Sequence, residues 1–121
     1  MLHFQSITDK IIASAYEVHK TLGTGFLERV YRNALAHEIS LAGMPVEIEK
    51  PIKVHYKDVI VGEYFADMFV NGLVIVETKC VERLAFPHIM QLKNYLNGTD
   101  FHVGLLINFG GVLVEHKRVF P

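Results

Sequence analysis

The 121-residue sequence predicts an α/β fold, a mixed β-sheet flanked by helices. Three observations predict it. Apolar residues recur at steps of three or four before Pro45 and fall into strand-like runs after it. The turn-forming pairs Lys57-Asp58 and Asn71-Gly72 punctuate the first of those runs. A helical stretch from Phe86 to Asn97 then separates two apolar strands, the usual crossover that lets neighbouring strands lie parallel.

Taken in order, Ile7, Ile11, Ala15, Val18 and Leu22 mark one amphipathic helix, with Ser6 or Thr8 as the expected N-cap and Gly23 as the stop. After Gly23-Thr24-Gly25, the residues Leu27, Val30, Tyr31, Ala34, Leu35, Glu38 and Ile39 keep helical spacing until Gly43-Met44-Pro45 ends the pattern. Strands are expected at 46–56, 59–70 and 73–80, forming an antiparallel meander. The helix 86–97 stops at Gly98, and strands at 103–109 and 112–119 follow, joined across Gly110-Gly111.

There is no repeat, low-complexity tract or linker, and a chain of this length is expected to form one domain spanning residues 1–121. Half the residues are hydrophobic and 21% are charged, which is globular composition, and no apolar run reaches the roughly 18 residues a membrane span needs. The N-terminus lacks the pattern of a secretory signal, and the single Cys80 rules out an internal disulfide or a cysteine-held cluster, so a soluble protein of the reducing cytoplasm is expected. A net charge of −1 argues against coating nucleic acid through bulk electrostatics. Local charge must suffice, and Lys10, Lys20, Arg29, Arg32, Arg83 and Lys93 are the available cations, each of which would otherwise be part of an ordinary solvated surface.

The chemistry concentrates at Asp67 and at Glu77-Thr78-Lys79, which closes the apolar run Leu73-Val74-Ile75-Val76. Asp and Glu are hard oxygen ligands of the kind Mg²⁺ or Mn²⁺ prefers, and Lys79 adds a fixed positive charge two residues beyond Glu77, a set suited to phosphodiester hydrolysis. Alternation puts Glu77 and Lys79 on one face of a strand, roughly 6.6 Å apart. Whether Asp67 joins them depends on the hairpin at Asn71-Gly72. A two-residue loop pairs Val70 with Leu73 and sends Asp67 and Glu77 to opposite faces. A three-residue loop over 70–72, a type I turn with Gly72 as a left-handed bulge, pairs Phe69 with Leu73 and places Asp67, Glu77 and Lys79 together. The bulged turn is expected.

The order Asp67, Glu77-Thr78-Lys79, then Gln91-Leu92-Lys93-Asn94-Tyr95 resembles the PD-(D/E)XK nuclease superfamily, RecB-like branch, with a restriction-endonuclease-like core. More closely, the stretch Gly25-Phe26-Leu27-Glu28-Arg29-Val30-Tyr31, preceded by Glu17 to Gly23, resembles the small bacterial GxxExxY proteins, and the resemblance covers nearly the whole chain. It implies a catalytic set of Asp67, Glu77, Lys79 and Gln91. The metal would be held by Asp67, Glu77 and the main-chain carbonyl of Thr78, with Glu28 binding directly or through water. Gln91 and Tyr95, four apart on one helical face, would orient substrate. Lys79 would orient the attacking water or offset developing charge. The branch often has an upstream His ligand; His19 and His37 are the nearby candidates and neither is assigned. Ala66 stands where the motif's nominal Pro would be.

The individual residues also have plainer roles. A lone Glu-x-Lys is ordinarily a solvated strand end, and the company of Asp67 is what sets it apart. Glu28 suits a helix N-terminus electrostatically, and Tyr31 reads as a core aromatic with a satisfied hydroxyl. The seven His show no zinc-type spacing, and Cys80 reads as a small buried residue. The expected function is a Mg²⁺- or Mn²⁺-dependent nuclease acting on nucleic acid, DNA in preference to RNA, with a homodimer completing a groove this short chain cannot build alone. The rival is a non-catalytic nucleic-acid- or protein-binding module that keeps the nuclease fold. Low charge and short length favour the rival; the intact Asp67, Glu77, Lys79 and Gln91 set opposes it.

Overall fold

The computed structural model describes residues 3–121. Helix α1 (His3–Leu22) buries Ile7, Ile11, Ala15 and Val18, the stripe its spacing predicts. Neither expected cap is used: the helix already runs from His3, so Ser6 and Thr8 lie inside it. The Thr8 hydroxyl instead donates to the Gln5 carbonyl at 3.1 Å and accepts from Arg118 Nε at 2.8 Å. Helix α2 (Glu28–Leu41) buries Tyr31, Leu35, Ala36 and Ile39.

The strands are β1 (Val46–Tyr56), β2 (Val59–Val70), β3 (Val74–Lys79), β4 (Val103–Asn108) and β5 (Glu115–Val119), with α3 (Phe86–Asn97) between β3 and β4. They form one mixed sheet in the order β1-β2-β3-β4-β5. The first three strands are the antiparallel meander expected from the turn residues, β3 and β4 are parallel across α3, and β5 returns antiparallel to β4. This is the mixed α/β arrangement that the residue pattern predicts. Among the described residues, no helix is long and apolar enough to cross a membrane.

The sheet has two apolar sides. Met68, Val70, Val74, Val76, Val103, Leu105 and Ile107 pack with α1 and α2, whereas Ala66, Phe69, Ile75 and Leu106 pack with Leu92 and Leu96 of α3. The central strands therefore read as continuous hydrophobic runs, buried on both faces. Glu77 and Lys79 emerge only where that run ends.

The last strand is shorter than expected. It begins at Glu115, and Val112 and Leu113 are exposed, because Gly110 is pressed against the chain that follows β3. A Cβ on Gly110 would lie 2.2 Å from the Val81 carbonyl oxygen. The contact is organised by Asn108, which is wholly buried: its amide nitrogen donates to Val81 O and to Glu115 Oε1, both at 2.9 Å, and its amide oxygen accepts from Val81 N–H at 2.9 Å and Gly110 N–H at 3.0 Å. Glu115 also accepts from Leu84 N–H at 3.0 Å. These bonds, Asn108 first, hold the Glu115 carboxyl below the usual range. The network clamps the segment after Lys79. Asn108→Leu, which orphans two part-buried N–H groups, is expected to cost about 3 kcal/mol, and Gly110→Ala, whose Cβ would overlap the Val81 backbone, at least about 3 kcal/mol. Urea titration should show lower midpoints with unchanged slope.

Candidate metal centre

The hairpin that carries the acids has a three-residue connection, as expected, but a different register. Val70 pairs with Val74, not Phe69 with Leu73. Both Asn71 (φ 56°) and Gly72 (φ 65°) are left-handed, the signature of a type I′ turn and not of the expected type I, and Leu73 N–H closes it on Val70 C=O at 3.1 Å. Leu73 is the extra residue. The two-residue shift preserves parity, so Asp67 stands opposite Glu77 when the register is continued.

Alternation alone does not complete the site. Tyr64 and Ala66 pack on the α3 side while Met68 and Val70 pack on the α1/α2 side, so β2 changes phase at Asp67. On β1 the break is matched by Glu49, held at φ 55°. The ladder between β2 and β3 ends at Met68–Val76, and beyond it the side chains take over. Asp67 N–H donates to Glu77 Oε2 at 3.0 Å; the Asp67 carboxylate accepts from Thr78 N–H at 2.7 Å and from Thr78 Oγ1 at 2.9 Å. The acids thus meet through reciprocal main-chain bonds across a gap between strands, which corrects the expectation of one shared face.

Glu77 is the most perturbed carboxyl of the site. Burial first, and the Asp67 charge second, raise its pKa to about 7, with Lys79 and its hydrogen bonds opposing. Glu28, in the first turn of α2, is exposed, and its carboxyl is also raised, by partial burial and then by Asp67, with Lys79 pulling the other way. Lys79 lies within electrostatic reach of both Glu28 and Glu77. Of the six expected cations, Arg32 bears on the site: it pairs with Glu49 at 2.9 Å and lowers the Glu28 carboxyl.

The residues around Glu28 explain the glycine-rich stretch before it. Gly25 sits at φ 103°, where a side chain is strained, and Tyr31, fully buried and stacked on Phe109 at 4.8 Å, donates its hydroxyl to Gly23 C=O. Tyr31 is the core aromatic that its spacing suggests. Cys80 is half-buried, its Sγ donating to Phe26 C=O at 3.4 Å, rather than enclosed as expected. It lies at the rim because the segment after β3 turns out towards the α1–α2 loop.

On the α3 side, Tyr95 stacks on Tyr64 with ring centroids 3.4 Å apart, and both phenols are raised in pKa by burial and then by Glu77. Tyr64 Oη is buried beside Glu77 without a well-formed hydrogen bond. Gln91 is exposed and bears on this group only through Tyr95, whose phenol it draws down against the rise. Tyr95 is therefore at the site and Gln91 at its edge. Neither histidine joins them: His19 Nε2 is 3.0 Å from Gly111 O, and His37 is exposed nine residues beyond Glu28, about 13 Å along the helix.

Sequence reading misses Tyr64 and the Asn108–Glu115 clamp. Tyr64 gives no local signal, since its importance comes from a stack with a residue 31 positions later. Among the described residues no three His, Cys, Asp or Glu side chains close on a single point. Asp67 and Glu77 are the joined pair, with Glu28 outside them. Their chemistry nevertheless fits a hard divalent cation: oxygen donors only, two adjacent carboxylates, and a half-buried Glu whose ionisation a nearby positive charge would favour. No curated protein and no solved structure matches the chain. A profile of the PD-(D/E)XK nuclease superfamily matches residues 5–119, in keeping with the sheet order and with Asp67, Glu77 and Lys79 at the end of its central strands, and the chain belongs to that superfamily.

Proposed function

We propose that this protein is a Mg²⁺- or Mn²⁺-dependent nuclease that hydrolyses phosphodiester bonds in DNA in preference to RNA. The observation that carries the reading is the reciprocal bonding of Asp67 and Glu77 at the end of β3, with Lys79 two residues on. Asp67, Glu77 and the Thr78 carbonyl are the ligands this reading assigns, with Glu28 completing the shell directly or through water. The cation supplies an activated water and polarises the phosphoryl oxygen.

The remaining steps belong to the chain. Thr78 holds the Asp67 carboxylate in place with two hydrogen bonds, and Asp67 N–H does the same for Glu77. Lys79 orients the nucleophile and offsets charge developing on the phosphorane oxygens. Tyr95, with Gln91 four residues before it on the same face of α3, lines the side where substrate would enter. The domain would work in a reducing compartment, the cytoplasm, where its one thiol stays free. Cleavage of labelled single- and double-stranded DNA and RNA with Mg²⁺, Mn²⁺ or EDTA tests the reading: metal-dependent scission of DNA ahead of RNA is expected, and binding without scission in every condition would replace it with the binding-module alternative.

A further inference from the structure

The outer half of the β1–β2 hairpin extends beyond the helices, and its two faces differ. Ile52 is buried and Tyr64 half-buried on the α3 side. On the opposite face, Glu63 and Phe65 of β2 stand beside Lys53 and Pro51 of β1; the register shifts by one residue between Val54 and His55, so Ile60 and the extra residue Val61 stand opposite His55 on this face, while Tyr56 and Val59 turn to the Ile52 side. Three large apolar residues of this face stay open to solvent: Ile60 52%, Val61 61% and Phe65 58%. They form a strip about 17 Å long on a two-stranded ribbon, a structure of marginal stability by itself.

We propose that this face binds a second copy of the chain. The ribbon's charges select that occupant. Among the described residues, the charged side chains of this face are the cross-strand pair Lys53 and Glu63, with His55 beside them, so it is close to neutral and has no row of cations to hold phosphates. It is also self-complementary. A two-fold axis along the ribbon lays β1 of one copy over β2 of the other, which sets Lys53 against Glu63 of the partner subunit and Pro51 against Phe65 of the partner subunit. Exposed apolar area with an aromatic member around one matched ion pair is the composition of a protein interface. Phe65 is two residues before Asp67, so the second copy stands at the mouth of the metal centre and widens it into a groove. The inference does not depend on catalysis.

Size-exclusion chromatography with light scattering tests it. The wild-type chain should elute at twice its 13.7 kDa mass, Val61→Glu should run as a monomer, and Val112→Glu, which changes an apolar residue 87% exposed elsewhere, should remain a dimer. Lys53→Glu should weaken the dimer and Lys53→Glu with Glu63→Lys should restore it. Should Val61→Glu fail to fold, hydrogen exchange of the wild type should show protection over 53–65 that rises with protein concentration. A wild-type monomer at every soluble concentration, or a dimer that Val61→Glu leaves intact, would overturn the proposal, and either can occur with cleavage activity present or absent.

Discussion

Lys79→Ala should lower DNA cleavage by about 10²–10³-fold, roughly 3–4 kcal/mol of transition-state stabilisation, with little loss of folding stability. The asymmetry follows from where the residue's bonds lie. Its carbonyl, which Ala retains, accepts from Phe109 N–H at 2.9 Å, and among the described residues its ammonium is in no ion pair, so truncation orphans no partner. What is lost is a positive charge within reach of Glu28 and Glu77, where the phosphate would sit. Arg at this position retains the charge but not its compact geometry, and should recover a small part of the rate. Single-turnover rates at saturating Mn²⁺, with circular dichroism of each variant, check this; a Lys79→Ala enzyme within about threefold of wild type would remove Lys79 from the reaction.

Glu77→Gln should abolish cleavage and yet stabilise the metal-free protein above neutral pH. The Glu77 carboxyl is raised from 4.5 to about 7, chiefly by burial and then by Asp67. Between those values the folded chain keeps a proton that the unfolded chain has released, so unfolding releases it and rising pH favours the unfolded state. Stability is therefore lost from about pH 4.5 to 7 and is flat above. The full difference corresponds to at most about 3 kcal/mol, on the order of 10 °C in Tm for a chain of this size. The Gln variant should lack the decline. Added Mg²⁺ or Mn²⁺ should reverse it in the wild type by binding the ionised form, by about 2.7 kcal/mol at a hundredfold excess over Kd, and should do nothing for the variant. Thermal melts across this pH range and above it, in EDTA and in metal, give all four curves; parallel wild-type and Glu77→Gln profiles would show that Glu77 does not carry the linkage.

Much of this molecule is legible in local pattern. The stripes Ile7-Ile11-Ala15-Val18 and Tyr31-Leu35-Ile39 report helices because a period near 3.6 has no other use, and the run Val74-Ile75-Val76 reports a strand covered on both faces. Glu77 and Lys79 stand out because charge at the end of such a run needs a reason. The start of the strand after Gly110 is not legible in the same way. Apolar Val112 and Leu113 look like strand, while the close approach of Gly110 to Val81 that expels them joins segments 29 residues apart. Ser6 and Thr8 look like caps for a similar reason: helix starts are marked by side chains that also occur within helices.

Local pattern sets the elements, their order and the pairing direction of the strands, and it singles out Asp67, Glu77 and Lys79 as the candidate site, since each follows from periodicity, turn chemistry or residue type over a few positions. How they meet is set by packing between segments far apart in the chain. The phase change at Asp67 depends on Glu49 across the sheet, the reach of Tyr95 to Glu77 on its stack with Tyr64, and the placement of the chain after Lys79 on Asn108 and Glu115. None of these is a local preference. Each is a contact between distant segments, made because buried polar groups and the unpaired amides of a splayed strand must find partners where water cannot reach them.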